Sequence, residues 1–235
     1  MSVFWAYTES PLTTGPCDLS ADEARHLGAR RLRPGGALVV FDGEGGVGEA
    51  RLVEASKRSA RVEVVSVDHA PRPAAGPVLA SAIPKGDRLS TMLQMLSQLG
   101  ARVWQPLVLE HSVVRSVDPT SARLQRILVE SAKVARRPWL LEVRPAIGLD
   151  RLLADARSAP AFYGDRQGAA GPLPAAAGLV VIGPEAGFSE GEHEDLSRAA
   201  VLPAAFSAHN LRIETAAIAA AVSTFAGRAT PGGQA

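Results

Sequence analysis

Over the first 70 residues, apolar and polar positions alternate in short runs. Val3 to Thr8 is a brief apolar stretch, and Ala37 to Phe41 is an apolar run that ends on Asp42-Gly43. Glu49 to Ala55 and Ala60 to Val67 alternate polar and apolar residues. A period of two predicts half-buried antiparallel strands, and a small barrel or sandwich closes so few strands most simply. One helix interrupts them. Ser20 is placed to cap a helix running to Leu32, with Glu23 three residues on as its capping-box partner. Ala70-Pro-Arg-Pro-Ala-Ala-Gly-Pro77 then packs three prolines and a glycine into eight residues. This composition predicts a linker over 71–77, between a first domain over 1–70 and a second over 78–229.

Beyond the linker the rhythm changes. Val78 to Ile83 predicts a strand. Asp87 is placed to cap a helix ending at Gly100, with Leu89, Leu93, Leu96 and Leu99 along one side. Val103 to Leu109 predicts a strand. Ser121 to Arg137 predicts a helix with Leu124, Ile127, Leu128 and Val134 on one face, stopped by Pro138. Leu149 to Arg157 and Ser189 to Ala200 predict helices. Ala161 to Tyr163, Leu179 to Ile182 and a segment near Ala205 predict strands. An alanine-rich helix over Glu214 to Ala226 and a Pro/Gly-rich, frayed tail over 230–235 complete the chain. Strands alternating with helices argue for an α/β domain, a mainly parallel sheet covered on both faces.

Composition narrows the function classes. Apolar residues make up 46% of the 235 positions, but aromatics only 5%, so the core must be built from Ala, Val and Leu. The net charge of +1 provides no global positive field for a nucleic acid. The excess of Arg over Lys fits a GC-rich genome better than it fits phosphate recognition. Cys17 is the sole cysteine, which excludes an intrachain disulfide and a Cys-based zinc site. The five histidines are scattered, so no metal is expected. Residues 1–10 lack the pattern of a signal peptide, and no apolar run approaches the roughly 20 residues that span a bilayer. A cytoplasmic protein without a membrane partner is expected.

Two motifs match by spacing and fail on context. Gly43-Glu-Gly-Gly-Val-Gly48 has G-x-G-x-x-G spacing, but a dinucleotide loop must open a helix and a strand follows here. A glycine-rich hairpin turn is the better reading. Gly187-Phe-Ser-Glu-Gly191 has the G-x-S-x-G spacing of a serine hydrolase elbow. The turn after Ile182 is too long for that elbow, and the only later Asp, Asp195, lies on the same helix. Ser189 followed by Glu192 reads more simply as a capping box. Glu192, His193 and Glu194 read as a solvated helix face, and no P-loop pattern occurs.

What remains is Leu179 to Ala221. A strand feeds directly into Gly183-Pro184-Glu185-Ala186-Gly187, where small residues allow a ligand close to the backbone. A second loop, Ser207-Ala208-His209-Asn210-Leu211, leads into Arg212-Ile213-Glu214-Thr215. Two such loops at strand ends of an α/β sheet are where ligands bind, but alone they define no more than a small-molecule site. Ordinary turn chemistry, with Arg212 and Glu214 simply ion-paired, is the alternative.

Gly183 to Glu192 fits the pattern G-P-E-G-G-[FL]-[ST]-x-x-E, and Phe206 to Ala216 fits L-G-x-x-I-L-R-x-E-T-A. On these residues, and more weakly on His26-Leu27, Leu38 to Gly43, Pro84 to Arg88 and Glu142 to Pro145, the chain resembles a known family. It is the RsmE family, bacterial 16S ribosomal RNA (uracil-N3)-methyltransferases of the SPOUT class. The resemblance implies an amino-terminal PUA-like RNA-binding β-barrel, then a parallel-sheet domain with a trefoil knot. It implies S-adenosyl-L-methionine as cofactor, 16S rRNA or the small ribosomal subunit as partner, and a homodimer. By the same resemblance the cofactor contacts are Ile182, Gly183, Pro184, Glu185, Gly187, Ser207, Ala208 and Leu211. Arg212 becomes the candidate for stabilising the uridine anion or a flanking phosphate, and Glu214 either the base or the residue that orients Arg212. Arg30, Arg31, Arg33, Lys133, Arg136 and Arg137 become the candidates for RNA phosphate contact. The chain departs from the pattern at Ala186, at Phe206-Ser207, at Gln98, and at Lys133-Val134 where the family has Glu-Gln. A non-catalytic RNA-binding relative and a serine hydrolase acting through Ser189 are the alternatives.

Overall fold

The computed structural model describes residues 3–73, 76–155 and 159–225. The expected tail over 230–235, Ala226, Ser158 with the end of the helix expected over 149–157, and positions 74–75 of the linker lie outside them. The chain forms two compact units, Met1–Arg72 with Val129–Leu140, and Pro73–Leu128 with Leu141–Ala235. Residues 129–140 thus group with the first unit, although the sequence pattern put them in the second domain.

The first unit contains β1 (Phe4–Tyr7), β2 (Gly15–Leu19), α1 (Ala21–Ala29), β3 (Ala37–Phe41), β4 (Gly46–Ala55), β5 (Ala60–Val64) and β6 (Asp68–His69). One sheet has the order β1-β3-β4-β5-β2, with β6 paired to β4. β1 runs parallel to β3, and the remaining pairs are antiparallel. β5 alternates buried and exposed residues throughout, as its sequence predicts. Its inward side chains join Leu27, Leu38, Val40 and Leu52 in one core. β2 escaped the sequence reading because Pro16 and Asp18 are poor strand residues. It lies at the sheet's edge, where a missing N–H does no harm.

The glycine-rich segment is a hairpin turn over Asp42 to Gly45 that runs into β4, with Phe41 paired to Val47 across it. Asp42 Oδ1 accepts from the N–H groups of Glu44 and Gly46, each at 2.9 Å. Gly45 has φ +105°, and a Cβ there would come within 2.5 Å of the Trp139 indole.

Ser20 caps α1 as expected, its Oγ accepting from Glu23 N at 3.3 Å. Glu23 does not return the bond. Its carboxylate is buried and takes Lys133 Nζ at 2.8 and 3.0 Å. Lys133 also reaches Glu130 Oε1 at 3.0 Å and His26 Nδ1 at 3.1 Å, with its ammonium 5.5 Å from the Phe4 ring centroid. A buried carboxylate needs a cation more than a helix end needs a second cap.

The second unit contains β7 (Val78–Ala82), α2 (Asp87–Gln98), β8 (Val103–Leu107), the first part of α3 (Ala122–Ala135), and β9 (Glu142–Val143). It continues with α4 (Leu149–Asp155), β10 (Ala161–Ala170), β11 (Leu179–Ile182), α5 (Glu190–Arg198), β12 (Leu202–Ala205) and α6 (Ile213–Phe225). The sheet order is β12-β10-β11-β7-β8-β9, and every pair is parallel. β8 and β11 are buried at every residue. Their polar exceptions carry partners: Trp104 Nε1 donates to Ser81 Oγ at 2.9 Å, and Gln105 Nε2 donates to Pro145 O at 2.7 Å.

Three local expectations change. α2 is capped by Gly86 at φ +67° with no side-chain bond, because the Asp87 carboxylate is held by Arg123 at 2.8 Å. Val134 is 70% exposed rather than on the apolar face of α3. β10 runs on through Asp165, Arg166 and Gln167, polar residues that read as loop. It pairs with β12 across a register break between Gly164 and Ala169. Among the described residues no helix is long and apolar enough to cross a membrane.

Burial holds the Glu23 carboxyl above its ordinary value of 4.5, even though Lys133 pulls it down. A raised folded-state value means that the folded unit keeps the proton longer than the unfolded chain. The associated stabilisation is complete below 4.5 and is lost as the pH rises through the folded value. Lys133→Met should therefore destabilise the first unit by about 3 kcal/mol at neutral pH, by leaving a buried carboxylate without its cation. The loss should shrink on acidification below pH 4.5, where Glu23 carries a proton in both states. Urea unfolding at several pH values, followed by tryptophan fluorescence, checks both statements.

Candidate functional site

The middle of β10 and the carboxyl ends of β11 and β12 line a cavity of about 300 Å³ in the second unit. Ile182, the last residue of β11, is buried, and its Cδ1 lies where Gly164 could carry no side chain without crowding: a Cβ would sit 3.1 Å away. The chain then turns through Gly183 to Gly187. A Cβ on Gly183 would stand 3.0–3.2 Å from the Phe188 ring. Gly187 has φ +82°, a left-handed conformation that disfavours side chains, and its N–H donates to Pro184 O at 2.9 Å. Both glycines are thus required by shape.

Neighbouring elements hold this loop. Arg88 of α2 lies 3.6 Å from Glu185 Oε1, and His111 Nδ1 lies 3.1 Å from Gly187 O. Ser189 and Glu192 form the full capping box at the start of α5. The second oxygen of Glu192 accepts from Glu110 N at 2.8 Å. Ser189 Oγ accepts from the Glu192 N–H, the capping role that the sequence predicts. Phe188, Tyr163 and His193 stack edge to face, with centroids 5.7–5.8 Å apart, so His193 does more than face solvent. Burial raises the Tyr163 phenol above its ordinary value, with Asp165 adding to the shift.

The opposite wall is the loop after β12. Ser207 Oγ accepts from His209 N at 3.0 Å, which turns the chain toward α6. Of the residues expected to contact a cofactor, Ile182, Gly183, Pro184, Glu185, Gly187, Ser207 and Leu211 line the cavity. Ala208 lines an adjoining hollow instead. The sequence reading missed Gly164, Asp165 and Arg166, because the β10 extension was invisible, and the aromatic walls Phe188 and Phe206.

Arg212 and Glu214 do not form the ion pair of the alternative reading. Arg212 is exposed, whereas Glu214 is 9% exposed and its Oε2 has no hydrogen-bond partner. They sit on either side of Ile213, which lines the cavity, and α6 directs the two side chains into different surroundings.

In the first unit, Arg30, Arg31 and Arg33 are exposed around the turn after α1, with Arg31 at φ +55°. Arg30, Lys133 and Arg136 border a hollow of about 410 Å³ with Phe4, Trp5 and His26. Lys133 is committed to Glu23 and Glu130, with a side chain only 9% exposed, and so is placed to organise this hollow rather than to meet a phosphate. Glu23, His26 and Glu130 come close enough to hold a metal ion, but the Lys133 ammonium already stands among them. Arg137 is half-buried, and burial lowers its guanidinium below the ordinary value.

Residues 73–224 match the RNA methyltransferase domain, and residues 19–65 match the PUA domain of RNA methyltransferases. The chain belongs to this RNA methyltransferase family. The Ribosomal RNA small subunit methyltransferase E of Synechocystis sp. is 35% identical over 112 residues, which span 47% of this chain and 36% of that protein. The protein of the same name from Aquifex aeolicus is 24% identical over 85% of this chain and 90% of its own length. A crystal structure of Ribosomal RNA small subunit methyltransferase E from Neisseria gonorrhoeae, bound to S-adenosyl methionine, superposes with a TM-score of 0.79. It is 27% identical and covers 94% of this chain and 96% of that one.

Glu192 closes the box at the head of α5 and also holds Glu110. Glu192→Ala should cost about 1–2 kcal/mol of stability, more than a simple exposed cap, because it frees two N–H groups at once. Thermal unfolding of the variant against the parent measures this.

Proposed function

We propose that the protein transfers a methyl group from S-adenosyl-L-methionine to N3 of a uridine in 16S rRNA of the small ribosomal subunit. The observation that carries this reading is the joining of both motif loops, 183–187 and 206–211, around one cavity at the strand ends. The residues there fit the cofactor. Phe188, Phe206 and Leu211 offer apolar surface for an adenine, the glycine turn lets backbone groups approach it, and Asp165 and Arg166 are counter-charges for an amino-acid moiety. Once bound, the cofactor supplies a methyl carbon made electrophilic by a positively charged sulfur.

The protein's part is to orient the uracil and to favour its N3 anion, since the neutral ring is a weak nucleophile. Arg212 and Glu214 are the catalytic residues in this reading. Arg212 is exposed beside the cavity and free to meet an anionic base or its phosphate. Glu214 lies in the first turn of α6 and is 9% exposed. Its unpartnered Oε2 is available to accept a proton or to orient a group brought by the substrate. The first unit would grip RNA through Arg30, Arg31, Arg33, Arg136 and Arg137, and the second unit would carry the chemistry. A cytoplasmic homodimer is part of the proposal.

Unmodified small subunits incubated with labelled S-adenosyl-L-methionine should acquire label in 3-methyluridine on nucleoside analysis. Arg212→Ala should lower the rate by about 10²-fold, the usual cost of one charge-stabilising donor, with cofactor binding retained. Absence of transfer by a dimer that binds the RNA would favour the non-catalytic reading.

A further inference from the structure

The methyl acceptor must reach the wall of the cofactor cavity, because reacting atoms have to come within about 3–3.5 Å of each other. Two hollows share residues with that cavity. One, of about 270 Å³, shares Pro184, Glu185 and Ile213 with it and is completed by Ile83, Lys85, Arg88 and Val113 among others. The second shares Arg166, Phe206 and Ser207 and is otherwise walled by small uncharged residues such as Gly168, Ala170 and Ala219.

Chemistry separates them. Uracil is a competent nucleophile at N3 only after losing its proton, so its site needs positive charge that is not already neutralised. The first hollow has two cations of different standing. Arg88 is drawn to Glu185 at 3.6 Å and donates through Nε to Lys85 O at 3.4 Å. Its charge is spent on joining α2 to the cofactor loop. Lys85 is exposed and, among the described residues, makes no ion pair. It stands immediately before Gly86, whose φ of +67° turns the chain into α2 without a side-chain cap. The positive end of the helix dipole therefore adds to the field on Lys85's side. Val113, 79% exposed at the rim, offers apolar surface for a flat ring. The second hollow's one cation, Arg166, already borders the cofactor cavity.

We propose that the hollow behind Pro184 and Glu185 seats the target uracil, and that the Lys85 ammonium stabilises its N3 anion. The inference rests on the methyltransferase reading above. Lys85 is exposed, so its substitution leaves folding intact.

The test pairs kinetics with a binding readout. Methyl transfer to small subunits is measured across pH for the parent, Lys85→Ala, Lys85→Arg and Ala170→Leu, which fills the other hollow. Cofactor affinity is measured by calorimetry. RNA carrying 4-thiouridine is photo-crosslinked to the protein, and the attached peptide is sequenced. Lys85→Ala should lower kcat about 10–100-fold at neutral pH, with unchanged cofactor affinity. The deficit should narrow as rising pH deprotonates the base without help. Lys85→Arg should recover most of the rate, Ala170→Leu should retain it, and crosslinks should fall on Val113 or residues 83–88. A parental kcat in Lys85→Ala overturns the proposal. So does a rise in KM alone with an unmoved pH profile, which is the signature of a phosphate clamp, or crosslinks confined to 168–171 and 219–223. If the parent makes no 3-methyluridine while crosslinks still fall on Val113, the reaction assignment fails and the uridine site stands.

Discussion

A parallel sheet covered on both faces leaves no dry place for polar chemistry along its strands. β8 and β11 are buried at every position, and the polar residues tolerated nearby, Ser81 and Gln105, are tied off by hydrogen bonds. An unpaired polar atom there would cost several times what one good hydrogen bond contributes. Reactive groups are therefore pushed to the strand ends, where the backbone leaves the sheet. At Ile182-Gly183 the change from fully apolar strand to glycine turn takes a single residue. The turn can be that tight because Gly183 yields space to Phe188 and Gly187 adopts a left-handed φ. The cavity follows from the sheet that excludes it.

The first unit solves a different problem with charge. Lys133 is nearly buried, and a buried ammonium is tolerable only if opposite charge and hydrogen-bond acceptors surround it. Glu23, Glu130 and His26 supply them within 3.1 Å. The departure from the family's Glu-Gln at Lys133-Val134 is thereby accommodated locally: Lys133 is neutralised, and Val134 points outward. Glu23 gives up its place in the α1 capping box to do this, so helix-end chemistry is subordinate to the buried pair.

Legibility in the sequence followed physical context. β3 was readable to the residue, because an apolar run bounded by Asp42-Gly43 has few other uses. The Ser189–Glu192 box was readable because both partners lie within one helical turn. Glu23 has the same local spacing and was misread, since its partner is 110 positions away. β2 and the outer half of β10 were missed for a shared reason. Edge and end segments satisfy only one neighbour, so Pro16 or Asp165 can sit in them without an apolar pattern. That omission hid Gly164, Asp165 and Arg166 from the cavity's lining. The two loop motifs were legible as a pair, but their residues divide: those up to Leu211, Ala208 apart, line the cavity, while Arg212 and Glu214 fall on either side of Ile213.

A net charge of +1 also limits how RNA could be recognised. Long-range attraction scales with net charge, so a nearly neutral chain must concentrate positive charge where contact occurs. Several cations here are compensated: Arg61 by Asp18, Arg123 by Asp87, Arg144 by Glu142, Lys133 by two glutamates. Those that remain uncompensated gain significance from that background. Arg30, Arg31 and Arg33 crowd one turn of the first unit, Arg212 stands beside the cavity at the strand ends, and Lys85 lines the hollow adjoining it. In the proposed reaction, such local clusters rather than the overall charge are where RNA contact is placed, because phosphate contacts act at short range once salt screens the rest.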